Sequence, residues 1–159
     1  MAEIAIDRMG ALLISNRPPH SGIGVYTRML HEGLLGLGVP TELYHWDGRT
    51  VERFYSYLRS TLWKSPARTV LSPIEEAMRV LSQVWFFQNT PTRYPLYHIT
   101  NAALAQVARR RRPSVVTVHD LVPYVDPRCT TDRIIRRSMQ STEQADRVIC
   151  VSEHTRREV

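Results

Sequence analysis

Residues 114–119 read Ser-Val-Val-Thr-Val-His and decide the fold of this chain, because they carry its strongest strand signal. The run is continuous, rich in β-branched side chains and bounded by Pro113. Val and Thr favour extended backbone, and a short run without polar alternation is typical of a strand covered on both faces. We therefore predict a central strand here, with His119 at its carboxyl end.

Other short apolar segments lie on both sides of this strand. They predict strands over residues 41–46, 96–100 and 147–151, and a first strand over residues 3–7. Residues 11–14, Ala-Leu-Leu-Ile, are apolar enough to be a rival for that first strand, and both alternatives stay open. We expect the first strand to lie beside the central one.

Helical spacing of apolar residues separates these strands. One predicted helix starts near Val25, ends at Gly38 and carries one apolar face. The members of that face are Tyr26, Met29, Leu30, Leu34 and Leu37. Further helices are predicted over residues 53–63, 73–87, 131–145 and 153–158, and Ser152 is predicted to cap the last of them. Strands alternating with helices predict an α/β fold, a Rossmann-like parallel sheet with helices on both faces.

Length and composition place the chain among ordinary globular domains. It has 159 residues, which predicts one domain, and 43% apolar and 23% charged residues, which excludes a disordered or collagen-like chain. No segment approaches the ~20 apolar residues of a transmembrane helix, and residues 1–6 lack the pattern of a secretory signal. Cys129 and Cys150 form no Cys-x-x-Cys motif. We expect reduced thiols, with Cys150 in a buried strand, and a cytoplasmic protein.

Arginine dominates the net charge of +6, since only one of the 21 basic residues is lysine. The densest run is Arg109–Arg112. This balance suits nucleic acid, anionic lipid or phosphorylated ligands, and it equally fits an arginine-rich coding bias.

Polar residues follow several of the predicted strands. In open parallel sheets, ligands bind beyond the carboxyl ends of the strands, so these residues form three candidate clusters at one edge. They are Gly22 with Gly24, His119 with Asp120, and Ser152 with Glu153.

The first cluster, Gly22-Ile-Gly24, precedes a predicted helix. Thr27 stands where the dinucleotide fingerprint has its third glycine, and no P-loop lysine follows. Glycines still let a backbone approach a phosphate at a helix N-terminus, and the alternative is a plain tight turn. For His119 the alternatives are chemistry at a strand end or local packing, with Asp120 capping the next turn.

Three segments together resemble the N-terminal half of retaining GT-B glycosyltransferases of family 4. They are Ser21-Gly-Ile-Gly-Val-Tyr-Thr-Arg28, Val116-Thr-Val-His-Asp-Leu-Val-Pro123 and Ala145-Asp-Arg-Val-Ile-Cys-Val-Ser-Glu-His-Thr-Arg156. Tyr97-His98, before Thr100-Asn101, is similar to a fourth family segment. Their order, spacing and strand context make the match specific.

The resemblance implies that residues 1–159 are the acceptor-side domain of a hexosyltransferase in polysaccharide biosynthesis. It implies that Gly22, Gly24 and Tyr26 face the donor phosphates and the reacting sugar. His119 would lie near the transferred sugar, while Asp120 would hold the strand-end geometry. It further implies that Ser152 and Glu153 shape the cleft-facing end of the last strand, and that neither a metal nor a cofactor is required.

The resemblance also implies partners: a nucleotide-sugar donor and a glycan or lipid-linked acceptor. In this family a second domain with two glutamates separated by seven residues binds most of the donor, and no such pair occurs in this sequence. We therefore expect the chain by itself to be inactive, as a fragment, a truncated product or half of a split enzyme. Peripheral contact with an anionic membrane at its inner face is compatible with the basic charge.

The alternative is a non-catalytic domain that binds anions or nucleic acid through its arginines. Single-stranded nucleic acid is bound by basic residues together with aromatic stacking platforms. No aromatic residue interrupts Arg109–Arg112, which counts against a nucleic-acid partner.

Overall fold

The structure of the chain is a computed structural model. It describes residues 10–45, 81–82, 84–121 and 133–159, with side chains described from residue 137 onward in the last range. The chain divides into two compact units, one of Met1–His45 with Pro91–Val159 and the other of Trp46–Thr90. The predicted strand over residues 3–7, the predicted helix over residues 53–63 and most of the one over 73–87 lie outside the described residues.

Five parallel strands form the sheet of the first unit. They are β1 (Ala11–Ser15), β2 (Thr41–His45), β3 (Tyr97–Ile99), β4 (Ser114–Val118) and β5 (Arg147–Cys150). The strand order is β2-β1-β3-β4-β5, and every pairing is parallel. The α/β prediction is confirmed, and the apolar run at residues 11–14 is a strand.

The neighbours of the central strand differ from the expectation. β3 lies between β1 and β4, so the prediction that the first strand lies beside β4 is wrong. The cause is the short apolar strand after Pro95: Tyr97 pairs with Leu12 on one side and with Ser114 on the other. All three residues of β3 are buried, as expected for the middle strand of a parallel sheet.

Helices and 3₁₀ segments connect the strands. They are α1 (Gly22–Gly36), a 3₁₀ helix (Ala102–Arg109), α2 (Arg133–Gln140), a second 3₁₀ helix (Ser141–Gln144) and α3 (Glu153–Glu158). The crossovers through α1 and through the first 3₁₀ helix run in opposite directions along the sheet. With the right-handed connection that parallel strands adopt, this order places the two on opposite faces. Within the described ranges, no helix is long and apolar enough to cross a membrane.

The ends of α1 follow from its sequence. It begins three residues before the predicted start, because Ser21 caps it by accepting a hydrogen bond from the Gly24 N–H at 3.1 Å. It ends before Gly38, whose φ of 78° lies in the left-handed region that glycine adopts without a steric penalty. This end was predicted.

The core lies around the three inner strands, and the edge strands are open. Every residue of β1 is buried, whereas Val148 and Ile149 in β5 are 38% and 43% exposed. The prediction of a buried last strand is therefore wrong, because β5 is the edge of the described sheet. Two members of the predicted apolar face of α1, Met29 and Leu37, are likewise exposed, at 64% and 80%.

A polar clamp joins the amino ends of β4 and β5. The Asp146 carboxylate accepts hydrogen bonds from the Ser114 backbone N–H (2.8 Å) and hydroxyl (3.0 Å) and from Arg112 Nη1 (2.6 Å). The bond from the Ser114 N–H is the main cause that lowers the pKa of Asp146, and the Arg112 charge adds to it. One arginine of the basic run is thus part of the fold.

We expect the Cys150 thiol to react in the native protein, because it is free and half-buried on an edge strand. The test adds a water-soluble aromatic disulfide, a thiol reagent, to a Cys129→Ser variant. Reaction with Cys150 should release the reagent's chromophore without denaturant. A Cys150→Ser variant of the same protein is the control and should release none. Release only after urea is added would contradict the exposed position of β5.

Candidate active site

The start of α1 is built into the carboxyl edge of the sheet by a tight loop. The Ser21 hydroxyl donates to the Pro18 carbonyl at 2.8 Å while it caps the helix. A Cβ at Gly24 would lie 1.9 Å from the Pro18 carbonyl oxygen. Only glycine therefore allows the loop to pack this closely against the helix. At Gly22 a Cβ would meet nothing within 4 Å, so this residue faces open space.

Tyr26, on the first turns of α1, touches the end of β4. Its ring meets the His119 ring edge-on, with centroids 4.9 Å apart and planes at 85°. Its hydroxyl lies 3.1 Å from Thr117 Oγ1 on β4. The sequence-predicted residues Tyr26 and His119 are therefore brought into contact, although β3 separates β1 from β4.

One backbone group identifies the ring nitrogen of His119 that carries a hydrogen. Its Nε2 lies 3.0 Å from the Thr100 carbonyl oxygen at the end of β3. A carbonyl only accepts hydrogen bonds, so Nε2 carries a hydrogen. The remaining nitrogen, Nδ1, has no hydrogen bond to any residue that the structure describes, which leaves it for a ligand.

A buried polar layer lies beneath α1, and the sequence reasoning missed it. Thr117 Oγ1 also lies 2.8 Å from His98 Nε2. Thr27 Oγ1 lies 2.8 Å from both Thr100 Oγ1 and the Ile23 carbonyl oxygen, and Thr100 Oγ1 donates to the Ile14 carbonyl at 3.0 Å. A row of threonines in apolar strands is the one sequence signal for such a layer, and β-propensity explains it equally well.

Burial controls the charge of His98. Its side chain is 6% exposed, and desolvation lowers its pKa to about 4. His98 is therefore neutral at physiological pH and serves as a hydrogen-bonding group of the sheet.

The third cluster, Ser152 with Glu153, lies at the start of α3, and α3 contacts the His119 backbone. Ser152 Oγ caps α3 by accepting from the Thr155 N–H at 3.1 Å, as predicted. Thr155 Oγ1 reaches the His119 carbonyl at 3.5 Å. Glu153 is exposed and pairs with Arg156 (3.4 Å) and Arg157 (3.6 Å).

Asp120 and two asparagines complete this edge. Asp120 is exposed directly after His119 and makes no hydrogen bond with a described residue. Asn101 Nδ2 donates to Asn16 Oδ1 at 2.7 Å, joining the ends of β3 and β1. The sequence named Asn101 only within a family segment, and neither asparagine was selected as a site residue. Across the described ranges, no three His, Cys, Asp or Glu side chains come together as a metal site would require.

The family of the chain follows from comparison with known proteins. The family model for Glycosyltransferase Family 4 matches residues 20–159, which include α1, β4, His119 and α3. This chain belongs to glycosyltransferase family 4. No curated protein and no solved structure matches it significantly. The resemblance of the three segments is thereby confirmed, and the site described above is the carboxyl edge of a glycosyltransferase family 4 domain.

We expect Gly24→Ala to destabilise this family 4 domain by roughly 1–3 kcal/mol, the usual penalty for overpacking, because the new methyl group meets the Pro18 carbonyl. Gly22→Ala is the matched control two residues away. With open space around it, it should leave stability unchanged or raise it by up to about 1 kcal/mol. Urea unfolding of both variants measures the difference, and equal stabilities would contradict the close approach at Gly24.

The low pKa of His98 makes stability depend on pH. Between its ordinary value of 6.5 and the native value of about 4, the unfolded chain takes up a proton that the native protein does not. The free energy of unfolding should therefore fall as the pH falls through this window, by roughly 2 kcal/mol between pH 7.5 and 5.

Urea unfolding at several pH values tests this. A His98→Gln variant should lose this part of the pH dependence, and His154→Gln, at an exposed position, should keep it. Asp146 does not interfere, because its lowered pKa places its titration below this window. An identical pH dependence in wild type and His98→Gln would show that His98 is not buried neutral.

Proposed function

We propose that this family 4 domain is the acceptor-side half of a retaining GT-B enzyme. The enzyme transfers a hexose from a nucleotide sugar to a glycan or lipid-linked acceptor in polysaccharide biosynthesis. The observation that carries the proposal is the contact between the start of α1 and His119 at the carboxyl edge of the sheet. Ligands of open parallel sheets bind at this edge.

The start of α1 offers groups suited to the donor. The backbone N–H groups of Gly22 and Ile23 have no acceptor within the helix, and the helix dipole adds partial positive charge there. Gly22 is exposed and leaves room for a close approach. In the proposed enzyme these groups face the donor phosphates and the reacting sugar.

His119 supplies one oriented nitrogen to the same space. With Nε2 bonded to the Thr100 carbonyl, Nδ1 accepts a hydrogen bond from a sugar hydroxyl in the neutral ring and donates one in the protonated ring. In the proposed site the imidazole positions the transferred sugar, while Asp120, Ser152 and Glu153 shape the cleft around it. Positioning and electrostatics, rather than a protein nucleophile, carry the transfer.

The remaining donor contacts are proposed to come from a second domain outside these 159 residues, since the sequence holds no pair of glutamates with seven residues between them. We place the domain in the cytoplasm, with peripheral contact to anionic lipid through exposed arginines such as Arg109 and Arg110. The nucleic-acid alternative gains no support, because Arg112 is bound by Asp146 and by the Gln144 carbonyl.

We expect the purified 159-residue chain to release no nucleotide from common sugar nucleotides. In the full enzyme with its donor-binding domain, His119→Ala should lower kcat by on the order of a hundredfold, since one lost stabilising contact has effects of that size. His154→Ala, an exposed histidine on α3, is the control and should leave kcat unchanged.

The melting temperature of each variant separates function from folding. Clear turnover by the isolated chain would overturn the half-enzyme proposal. Normal turnover of His119→Ala, or a large loss of stability in its place, would remove His119 from the chemistry.

A further inference from the structure

We propose that Tyr26 and Thr27, adjacent residues on α1, are positioning residues that fix the orientation and the tautomer of the His119 ring. The inference rests on the proposed function only in assigning His119 to the sugar. The coupling between α1 and His119 is a property of the domain itself and is measured without turnover.

Tyr26 acts on one side of the His119 ring. The edge-on contact at 4.9 Å leaves the imidazole no freedom to swing toward α1 without displacing the phenol ring. Contacts of this geometry stabilise a ring pair beyond what their buried area alone supplies. This added stabilisation selects one ring orientation from two of similar energy.

Thr117 in turn holds Tyr26. Its Oγ1 lies within hydrogen-bond distance of both the Tyr26 hydroxyl (3.1 Å) and His98 Nε2 (2.8 Å). The Tyr26 hydroxyl is therefore directed into the sheet. Tyr26 then holds His119 in place, and the backbone N–H groups of α1, rather than Tyr26, contact the donor phosphates.

Thr27 acts on the other side through Thr100. The Thr27 hydroxyl lies 2.8 Å from both Thr100 Oγ1 and the Ile23 carbonyl oxygen, which compete for its single hydrogen. The carbonyl of the same Thr100 accepts the hydrogen of His119 Nε2 at 3.0 Å. The first turns of α1 thus reach His119 by two routes, ring contact and hydrogen bonds. A ligand that shifts the start of α1 would move the imidazole with it.

Nitrogen-15 NMR of histidine-labelled 159-residue chain tests this at pH 8.5, where ordinary imidazole rings are neutral. Wild type should show His119 in the single Nε2–H tautomer, with side-chain protons shifted by the Tyr26 ring. Tyr26→Leu should abolish that shift and populate the second tautomer. Tyr26→Phe keeps the ring but loses the hydroxyl bond to Thr117, so it should move the His119 signals only part of the way from wild type toward Tyr26→Leu.

Two further variants keep the test decisive. Thr117→Val keeps the shape of the side chain, removes its hydroxyl, and should move the His119 signals in the direction of Tyr26→Leu. Tyr94→Leu is the matched control, because Tyr94 makes a similar edge contact with Tyr97 elsewhere and should leave His119 unchanged. If Tyr26→Leu fails to fold, Thr117→Val and Tyr26→Phe decide. A His119 spectrum that no variant at Tyr26 or Thr117 alters would overturn the proposal.

Turnover in the full enzyme gives an independent reading. Tyr26→Leu should lower kcat by roughly tenfold to a hundredfold with little change in the donor KM, since it misplaces a positioning group. Combined with His119→Ala it should add no further loss. An additive loss would count against the proposal. If His119 responds by NMR but His119→Ala turns over normally, the coupling stands and the proposed function fails.

Discussion

Thr100 joins four elements of this domain at one point. Its backbone N–H and its hydroxyl both bond the Ile14 carbonyl at the end of β1, at 2.9 and 3.0 Å. The same hydroxyl lies 2.8 Å from the Thr27 hydroxyl on α1, and the Thr100 carbonyl holds His119 after β4. Because Thr100 is fully buried, losing any of these bonds would leave a polar group without water. The geometry of the candidate site depends on this residue.

The two ends of the sheet do different work. At the amino end, the Asp146 carboxylate accepts hydrogen bonds from Ser114 and pairs with Arg112, which joins β4 to β5. Its oxygens therefore have little remaining capacity to bind a ligand. At the carboxyl end, the helix start and one imidazole nitrogen keep unused hydrogen-bonding capacity. This division matches the location of binding sites in parallel sheets generally.

Local signals in the sequence predicted much of the fold. The β-branched run of β4, the Ser152 cap and the stop at Gly38 each depend on near neighbours, and all three are confirmed. Long-range features were missed. The position of β3 between β1 and β4 and the exposure of Met29 and Leu37 depend on which elements meet, and residue spacing along the chain does not contain that information.

In the candidate site too, local features were predicted from the sequence and long-range contacts were not. Tyr26 and His119 were selected from motif context, yet their contact with one another was not foreseen. Thr100 and Thr117 were named only within family segments and were not selected as site residues, because a threonine in a strand is ordinary. Only the packed structure reveals which hydroxyls meet. His98 was noticed only as part of a family segment. Its burial, and hence its neutrality, comes from the tertiary fold.

The open side of β5 has a practical consequence for handling the protein. An edge strand presents unpaired N–H and C=O groups, and here apolar side chains flank them, with Val151 49% and Ile149 43% exposed. Such an edge is a template for adding a strand from another molecule. A strand added there would pair with β5, which itself lies directly beside β4 and ends next to His119. A charged residue introduced on this edge would raise solubility while leaving the hydrogen-bond layer beneath α1 untouched.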